Sequence, residues 1–251
     1  RSLRFWDLNS RQPLIKCIEG HDDKVVQILL SDDGKTIVSA SRDGLVRLWD
    51  NETRQSKGVL QGHTGAIRAI AFNADSSVLY SGSVDGTIRG WKLENRSLLS
   101  TYKEDTDCEV NCLKVCEGLL VAGTSSPNIS LWSTKSNVRE TQLLGHSDSV
   151  LCLASTRNQR LVYSAGEDQD ILCWDLKRRT LLGKIAQEGH SKAIVSLAVS
   201  PDDKLRLSGS KDLTIKIWDL EEYALKAEFA ELRGQPGCLR FSDSGKYFYS
   251  A

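Results

Sequence analysis

At 251 residues, with 33 basic and 33 acidic side chains, the chain has no net charge to draw it wholesale to nucleic acid or an anionic membrane. No apolar run approaches the roughly 18 residues of a membrane-spanning helix. The opening RSLRFWDLNS lacks both a starting Met and an apolar stretch, so it reads as no signal peptide. With Met absent throughout, the expectation is a piece of a longer protein.

In chain order, residues 1–19 read as a partial unit, in which LRFWD matches the end of later segments and Pro13 to Glu19 forms one strand. The first complete unit is Gly20 to Asp50, opening on Gly-His and closing on Trp-Asp. A second runs from Gly62 to Lys92, and its AIRAIAF (66–72), VLYSGS (78–83) and TIRGW (87–91) alternate or run apolar over five to seven residues, the length of a strand. Turn formers such as Asn73 to Ser77 separate the first two strands, and the Asp-Gly pairs 43–44 and 85–86 make the next hairpin tight. A third unit ends at Ser133, a fourth spans Gly145 to Asp175 and a fifth Gly189 to Asp219. Residues 220–251 are a second partial unit, with Leu232 where the others carry His. A fourth strand fills each gap from Trp-Asp to the next Gly-His, as in SKGVLQGH. No helical period appears, so the chain reads as all-β, one four-stranded antiparallel sheet per unit.

Four units share one register. His21, His63, His146 and His190 are followed by Ser39, Ser81, Ser164 and Ser208, then Asp43, Asp85, Asp168 and Asp212, then Trp49, Trp91, Trp174 and Trp218, always at the same separations. Such a period marks a repeat architecture. A His beside a carboxylate and a hydroxyl resembles hydrolase machinery, but a triad occurs once per site and this set recurs four times. The third unit breaks the pattern: its slots hold Glu104, Ala122 and Ser126, and only Trp132 remains.

Through GH…S-x-S/G-x-D-G…I-x-x-W-D, the chain resembles the WD-repeat β-propellers over essentially its full length. The resemblance implies a β-propeller of about six units, four with the full signature and two degenerate or partial, in a single domain over 1–251. It also implies that the Trp, Ser, His and Asp of each repeat hold blade and turn together. A buried Asp needs donors, and His, Ser and the indole N–H supply them. Asp43→Ala is therefore expected to cost about 2–4 kcal/mol. The terminal partial units leave two outcomes open: a ring closed at six blades, or an arc cut from seven or more.

By the same resemblance, the docking face carries the residues after each Gly-His and before each turn Asp. Those are Asp22, Lys24, Thr64, Asp148 and Lys192, with Arg42, Val84, Glu167 and Lys211. Their mixed signs suit proteins or peptides. The expected function is a protein–protein interaction scaffold and not an enzyme. The alternative is the regulatory or targeting propeller of a larger enzyme, or of a ubiquitin-ligase substrate receptor. Some family members carry W-D-x-R for that last role, whereas this chain has Lys177 in Trp174-Asp175-Leu176-Lys177. No catalytic residue, cofactor, metal, nucleic acid, membrane or small-molecule substrate is expected. No phosphate loop or basic stripe is present. Cysteines 17, 108, 112, 116, 152, 173 and 238 form an odd, irregular set, of which 108, 112 and 116 fit no usual metal spacing. They read as core packing in a reducing, cytoplasmic compartment, with the nucleus left open.

Overall fold

A computed structural model describes residues 2–4, 18–105, 108–185 and 189–251. Among these, no residue is helical and the strands form repeated four-stranded antiparallel sheets, the blades of a β-propeller class. The chain divides into two compact units, 1–110 and 111–251.

The first unit holds two complete blades. One is built from Val25–Leu30, Thr36–Ser41, Val46–Asp50 and Ser56–Leu60, the other from Ile67–Phe72, Val78–Ser83, Thr87–Lys92 and Ser97–Lys103. Ser2–Leu3 pairs antiparallel with Ile18–Glu19. Of the expected strand from Pro13 to Glu19, only these last two residues lie among the described ones, and Trp6 and Cys17 lie outside them. Apolar alternation explains the packing. Val38, Leu48, Ile67, Ile70, Leu79 and Trp91 form one cluster running from blade to blade. Each such side chain contributes about 1.5–3 kcal/mol on burial. The Ile70 N–H also donates to Gln27 Oε1 at 2.9 Å, a clasp from one first strand to the next.

The second unit holds three complete blades. The third repeat supplies Val110–Cys116, Leu119–Thr124, Ile129–Ser133 and Arg139–Leu143, a full blade despite its missing signature. The fourth supplies Val150–Ser155, Leu161–Gly166, Ile171–Asp175 and Thr180–Ile185, and the fifth Ile194–Val199, Leu205–Ser210, Ile215–Asp219 and Leu225–Phe229. Leu239–Phe241 and Phe248–Ser250 make a two-stranded sheet. Clasps recur here: Asn111 Nδ2 donates to the Val150 carbonyl at 3.1 Å, and the Leu239 N–H to Ser196 Oγ at 2.8 Å. Cys112, Cys116, Cys152 and Cys173 are buried in the blades, and burial lifts the Cys112 thiol to about 12.

Two irregularities repeat with the blades. The first strand of each signature-bearing repeat shifts register after its opening residue, as between Val25 and Gln27 or Ile194 and Ser196. The third-to-fourth pairing shifts just before Trp49, Trp132, Trp174 and Trp218. Bulges of this kind sharpen strand twist.

Candidate functional site

Three of the signature corners start with the close approach of Gly to Trp, at Gly20, Gly62 and Gly145. A Cβ at Gly20 would stand 2.7 Å from the Trp49 ring, and one at Gly145 2.9 Å from that of Trp174. Glycine therefore precedes the His because the indole occupies that space. The loop then carries the His inward, over the second-to-third hairpin of its own repeat.

There the four polar side chains meet. In the first blade, Trp49 Nε1 donates to Ser39 Oγ at 2.8 Å, His21 Nε2 lies 2.8 Å from that oxygen, and His21 Nδ1 lies 2.8 Å from Asp43 Oδ2. The set His63, Ser81, Asp85 and Trp91 repeats this at 2.8–2.9 Å. His146, Ser164, Asp168 and Trp174 do so at 2.7 Å. His190, Ser208, Asp212 and Trp218 do so at 2.7–2.9 Å. A neutral imidazole satisfies every group: indole N–H to serine, serine O–H to Nε2, and Nδ1–H to carboxylate. Each carboxylate also accepts backbone N–H groups, Asp43 from Asp22 and Leu45, Asp85 from Thr64 and Thr87.

The electrostatics follow from this wiring. Burial works to raise the carboxyl pKa of Asp85, but hydrogen bonds from Thr87, His63 and the Thr64 N–H outweigh it and bring it down to about 2. Asp43, Asp168 and Asp212 are also held below the usual range, their donors overcoming burial. Burial depresses His63 and His190, although the paired aspartate pulls the other way in each. In these two corners, ionised Asp and neutral His are thus the resting forms at neutral pH. The four serines are fully buried, so no substrate carbonyl reaches their oxygens.

The corners also fix the exposed residues around them. The Arg42 N–H donates to the Lys24 carbonyl at 3.0 Å, and Val84 to Ala66, Glu167 to Ser149 and Lys211 to Ala193 in the same way at 2.9–3.0 Å. Each turn is thereby pinned to the loop after Gly-His. In the first unit this groups Asp22, Lys24 and Arg42 at one corner and Thr64 with Val84 at the next. In the second it groups Asp148 with Glu167 and Lys192 with Lys211. Asp22, Lys24, Arg42, Thr64, Asp148 and Lys192 are exposed, while Val84, Glu167 and Lys211 are half-buried.

Two features escaped the residue pattern. Lys211 Nζ lies 2.7 Å from Glu167 Oε1, an ion pair joining successive blades. A recess of about 310 Å3 opens beside Val84, Asp85 and Gly86, with Lys103, Glu104 and Cys108 among its walls. The ion pair joins residues 44 apart, about one repeat, and that spacing was the only sign of it in the sequence. Among the described residues, no group of three or more His, Cys, Asp or Glu is arranged to hold a metal ion.

The WD domain, G-beta repeat pattern matches residues 12–50, 54–92, 137–175 and 180–219, together more than half of the sequence. The chain therefore belongs to the WD40 family. It is 26% identical over 185 residues to WD repeat-containing protein 26 homolog of Arabidopsis thaliana, covering 71% of this chain and 31% of that protein. It is likewise 26% identical over 187 residues to Autophagy-related protein 16 of the same plant, covering 74% and 36%. A shorter match, 42% over 48 residues, is to APC/C activator protein CDH1 of Saccharomyces cerevisiae, covering 19% and 8%. The chain spans about a third of the length of the two plant relatives.

Proposed function

We propose that this chain is a docking module that receives proteins or peptides on the face formed by its Gly-His loops and Asp turns. One observation carries the reading: the buried Trp–Ser–His–Asp chains hold each corner rigid, and the residues between them stand exposed and fixed. Recognition favours loops on a stiff scaffold, since little ordering is left to be done on binding. Lys24 and Arg42 accompany Asp22 in the first unit, and Lys192 and Lys211 accompany Asp148 and Glu167 in the second, in each a mixture suited to a polypeptide partner and not to a polyanion. The four corners enter this reading as framework and not as nucleophiles, because each serine oxygen is buried and already held by Trp and His. An intracellular setting is part of the proposal, supported by the thiols of Cys112, Cys116, Cys152 and Cys173 packed in the blades.

The test is affinity capture with the whole chain as bait, comparing wild type with Arg42→Glu plus Lys192→Glu. Partners should be lost while the melting temperature stays within about 1 °C, as surface changes normally leave it. Undiminished capture would remove this face from consideration. Lys211→Glu alone also breaks the pair with Glu167, so Glu167→Lys with Lys211→Glu serves as its partner-swapped control.

A second reading is the regulatory or targeting propeller of a larger protein. It draws on the chain's span of only 31–36% of the two plant relatives, which leaves room for other domains in proteins of this kind.

A further inference from the structure

The net charge of zero over the whole chain conceals a separation of charge within the second unit. In every complete blade, the turn between the first two strands is tied to the turn between the last two. Asn51, Leu93, Thr134, Leu176 and Leu220 donate their backbone N–H groups to the carbonyls of Lys35, Ser77, Gly118, Arg160 and Lys204 respectively, at 2.9–3.1 Å. These paired turns form the end of each blade opposite its second-to-third hairpin. In the fourth blade, residues 156–160 and 175–179, that end carries Arg157, Arg160, Lys177, Arg178 and Arg179 against the single acid Asp175. In the fifth, residues 200–204 and 219–223, it carries Asp202, Asp203, Asp219, Glu221 and Glu222 against the single base Lys204.

The basic end keeps most of its charge outward. Asp175 is buried, and its carboxylate is taken up by the Arg178 N–H at 2.9 Å and by Arg160 Nη2 at 3.3 Å. Arg179 is held by Glu140 of the third blade. Arg157, Lys177 and Arg178 are exposed, and among the described residues their side chains form no ion pair. The Arg157 N–H donates to Asp203 Oδ1 at 2.8 Å, so the acidic end of the fifth blade begins directly beside the basic one. Apolar surface adjoins it as well. Leu181 and Leu182, straight after Arg179 and Thr180, are 42% and 45% exposed, and Val138, two residues before Glu140, is 58% exposed.

We propose that the basic end of the fourth blade is a second docking surface, for an acidic polypeptide segment that carries large apolar residues. The sign follows from charge: guanidinium groups take carboxylates bidentately, and three of the cations here have no carboxylate of their own. Apolar residues of the partner cover Leu181 and Leu182 and remove them from water. The acidic neighbour selects the class of partner. A membrane or a nucleic-acid duplex spreads negative charge over more than one blade end, and would bring it against Asp202, Asp203, Glu221 and Glu222 within the range of unscreened repulsion. A single acidic strand of polypeptide can follow Arg157, Lys177 and Arg178 and stop short of those carboxylates. The surface lies at the opposite end of the blade from the Gly-His loop and Asp turn, so it goes beyond the docking face proposed above and neither rests on the other.

The test uses the whole chain and a short fluorescent peptide in which glutamate alternates with leucine, with binding read by anisotropy. The peptide should bind, and lose affinity as salt rises from about 0.05 to 0.3 M. Affinity should fall at least about tenfold in a variant carrying Arg157→Glu, Lys177→Glu and Arg178→Glu. The melting temperature of that variant should stay within about 1 °C of wild type, since the three side chains are exposed and unpaired. No binding to wild type, or equal binding to this variant, would overturn the assignment. So would a loss confined to Arg42→Glu with Lys192→Glu, which would put the peptide on the Gly-His face. A peptide with serine in place of leucine should bind several-fold more weakly, and equal binding would remove the apolar part of the proposal. Vesicles of phosphatidylserine with phosphatidylcholine, and a DNA duplex, should each bind less well than the peptide. If either binds more tightly and is lost in the triple variant, the basic end serves that anion and the polypeptide partner is refuted.

Discussion

The third and fourth repeats build the same four-stranded ladder but hold its corner by different means. In the fourth, Asp168 gathers donors from His146, Ser147 and Asp170, and Trp174 reaches the same histidine through Ser164. In the third, the matching positions hold Ala122 and Ser126. That turn is tied by the Ser126 N–H onto Thr124 Oγ1 at 3.1 Å and the Asn128 N–H onto Ser126 Oγ at 3.4 Å, and Ser149 Oγ of the next repeat donates to the Ser125 carbonyl at 3.0 Å. The Arg139 guanidinium lies 4.8 Å over the Trp132 ring. Both blades nevertheless pair second strand to third in the same register, Leu120 with Trp132 and Val162 with Trp174. Alternating apolar residues are therefore enough to form a blade. The His–Asp network does something narrower, which is to fix the corner and the loop that packs on it.

The largest test of that contrast is to remove each corner in turn. Asp168→Ala strands the donors of a buried carboxylate and should cost about 2–4 kcal/mol, as should Asp43→Ala. Ser126→Ala should cost under about 0.5 kcal/mol, because its bonds are long and local. Chemical denaturation measures both, and equal losses would mean that the network is no more than one local turn among others.

Acid sharpens the same comparison. Asp85 ionises near 2 in the fold and near 3.8 in the unfolded chain, so its contribution is present above about pH 4 and lost as pH falls toward 2. That loss amounts to about 2 kcal/mol. His63 and His190 are also depressed, so the unfolded chain takes up their protons first and stability begins to fall below about pH 6.5. Asp85→Asn should flatten the lower window, whereas Ser126→Ala should leave the whole profile in place. A wild-type midpoint unchanged from pH 7 to 3 would refute the wiring.

The smallest effect concerns the corners' backbone. Gly44 and Gly86 take φ of 79° and 75°, but the equivalent Gln169 and Leu213 are held at 68° and 66°. A side chain in that region costs about 1 kcal/mol, partly recovered through a stiffer unfolded chain. Leu213→Gly should accordingly raise stability by about 0.5 kcal/mol, read as a small upward shift in melting temperature. A fall would show that Leu213, although 39% exposed, makes contacts that outweigh the strain.

Much of this was legible in residue order because a repeat states its rule several times. The strand read at 78–83 is Val78–Ser83, and the one read at 66–72 is Ile67–Phe72. The third repeat shows why the signature is a poor guide to blade formation, since the apolar residues of VNCLKV and LLVAGT carried the strands without it. The candidate face was harder to read. That Arg42 meets Lys24, or Lys211 meets Glu167, depends on which loop folds over which turn, and exposed residues carry no periodic mark. The basic end of the fourth blade was silent for a related reason: Arg157 and Arg160 stand on a different turn from Lys177, Arg178 and Arg179, and only the fastening of the two turns joins them.

By itself, the sequence determined that the chain is all-β, how many strands each repeat has, and which four residue types recur at its corners. These are local and periodic properties, written wherever apolar alternation and turn formers fall. Tertiary structure alone decided the bulge before each signature Trp, the clasps from blade to blade, the Glu167–Lys211 pair and the joining of two basic turns at the end of the fourth blade. The clasps and the ion pair arise between segments about forty residues apart, and the bulges between strands about ten apart, where closeness in space is set by packing and pairing and not by neighbouring residues in the chain.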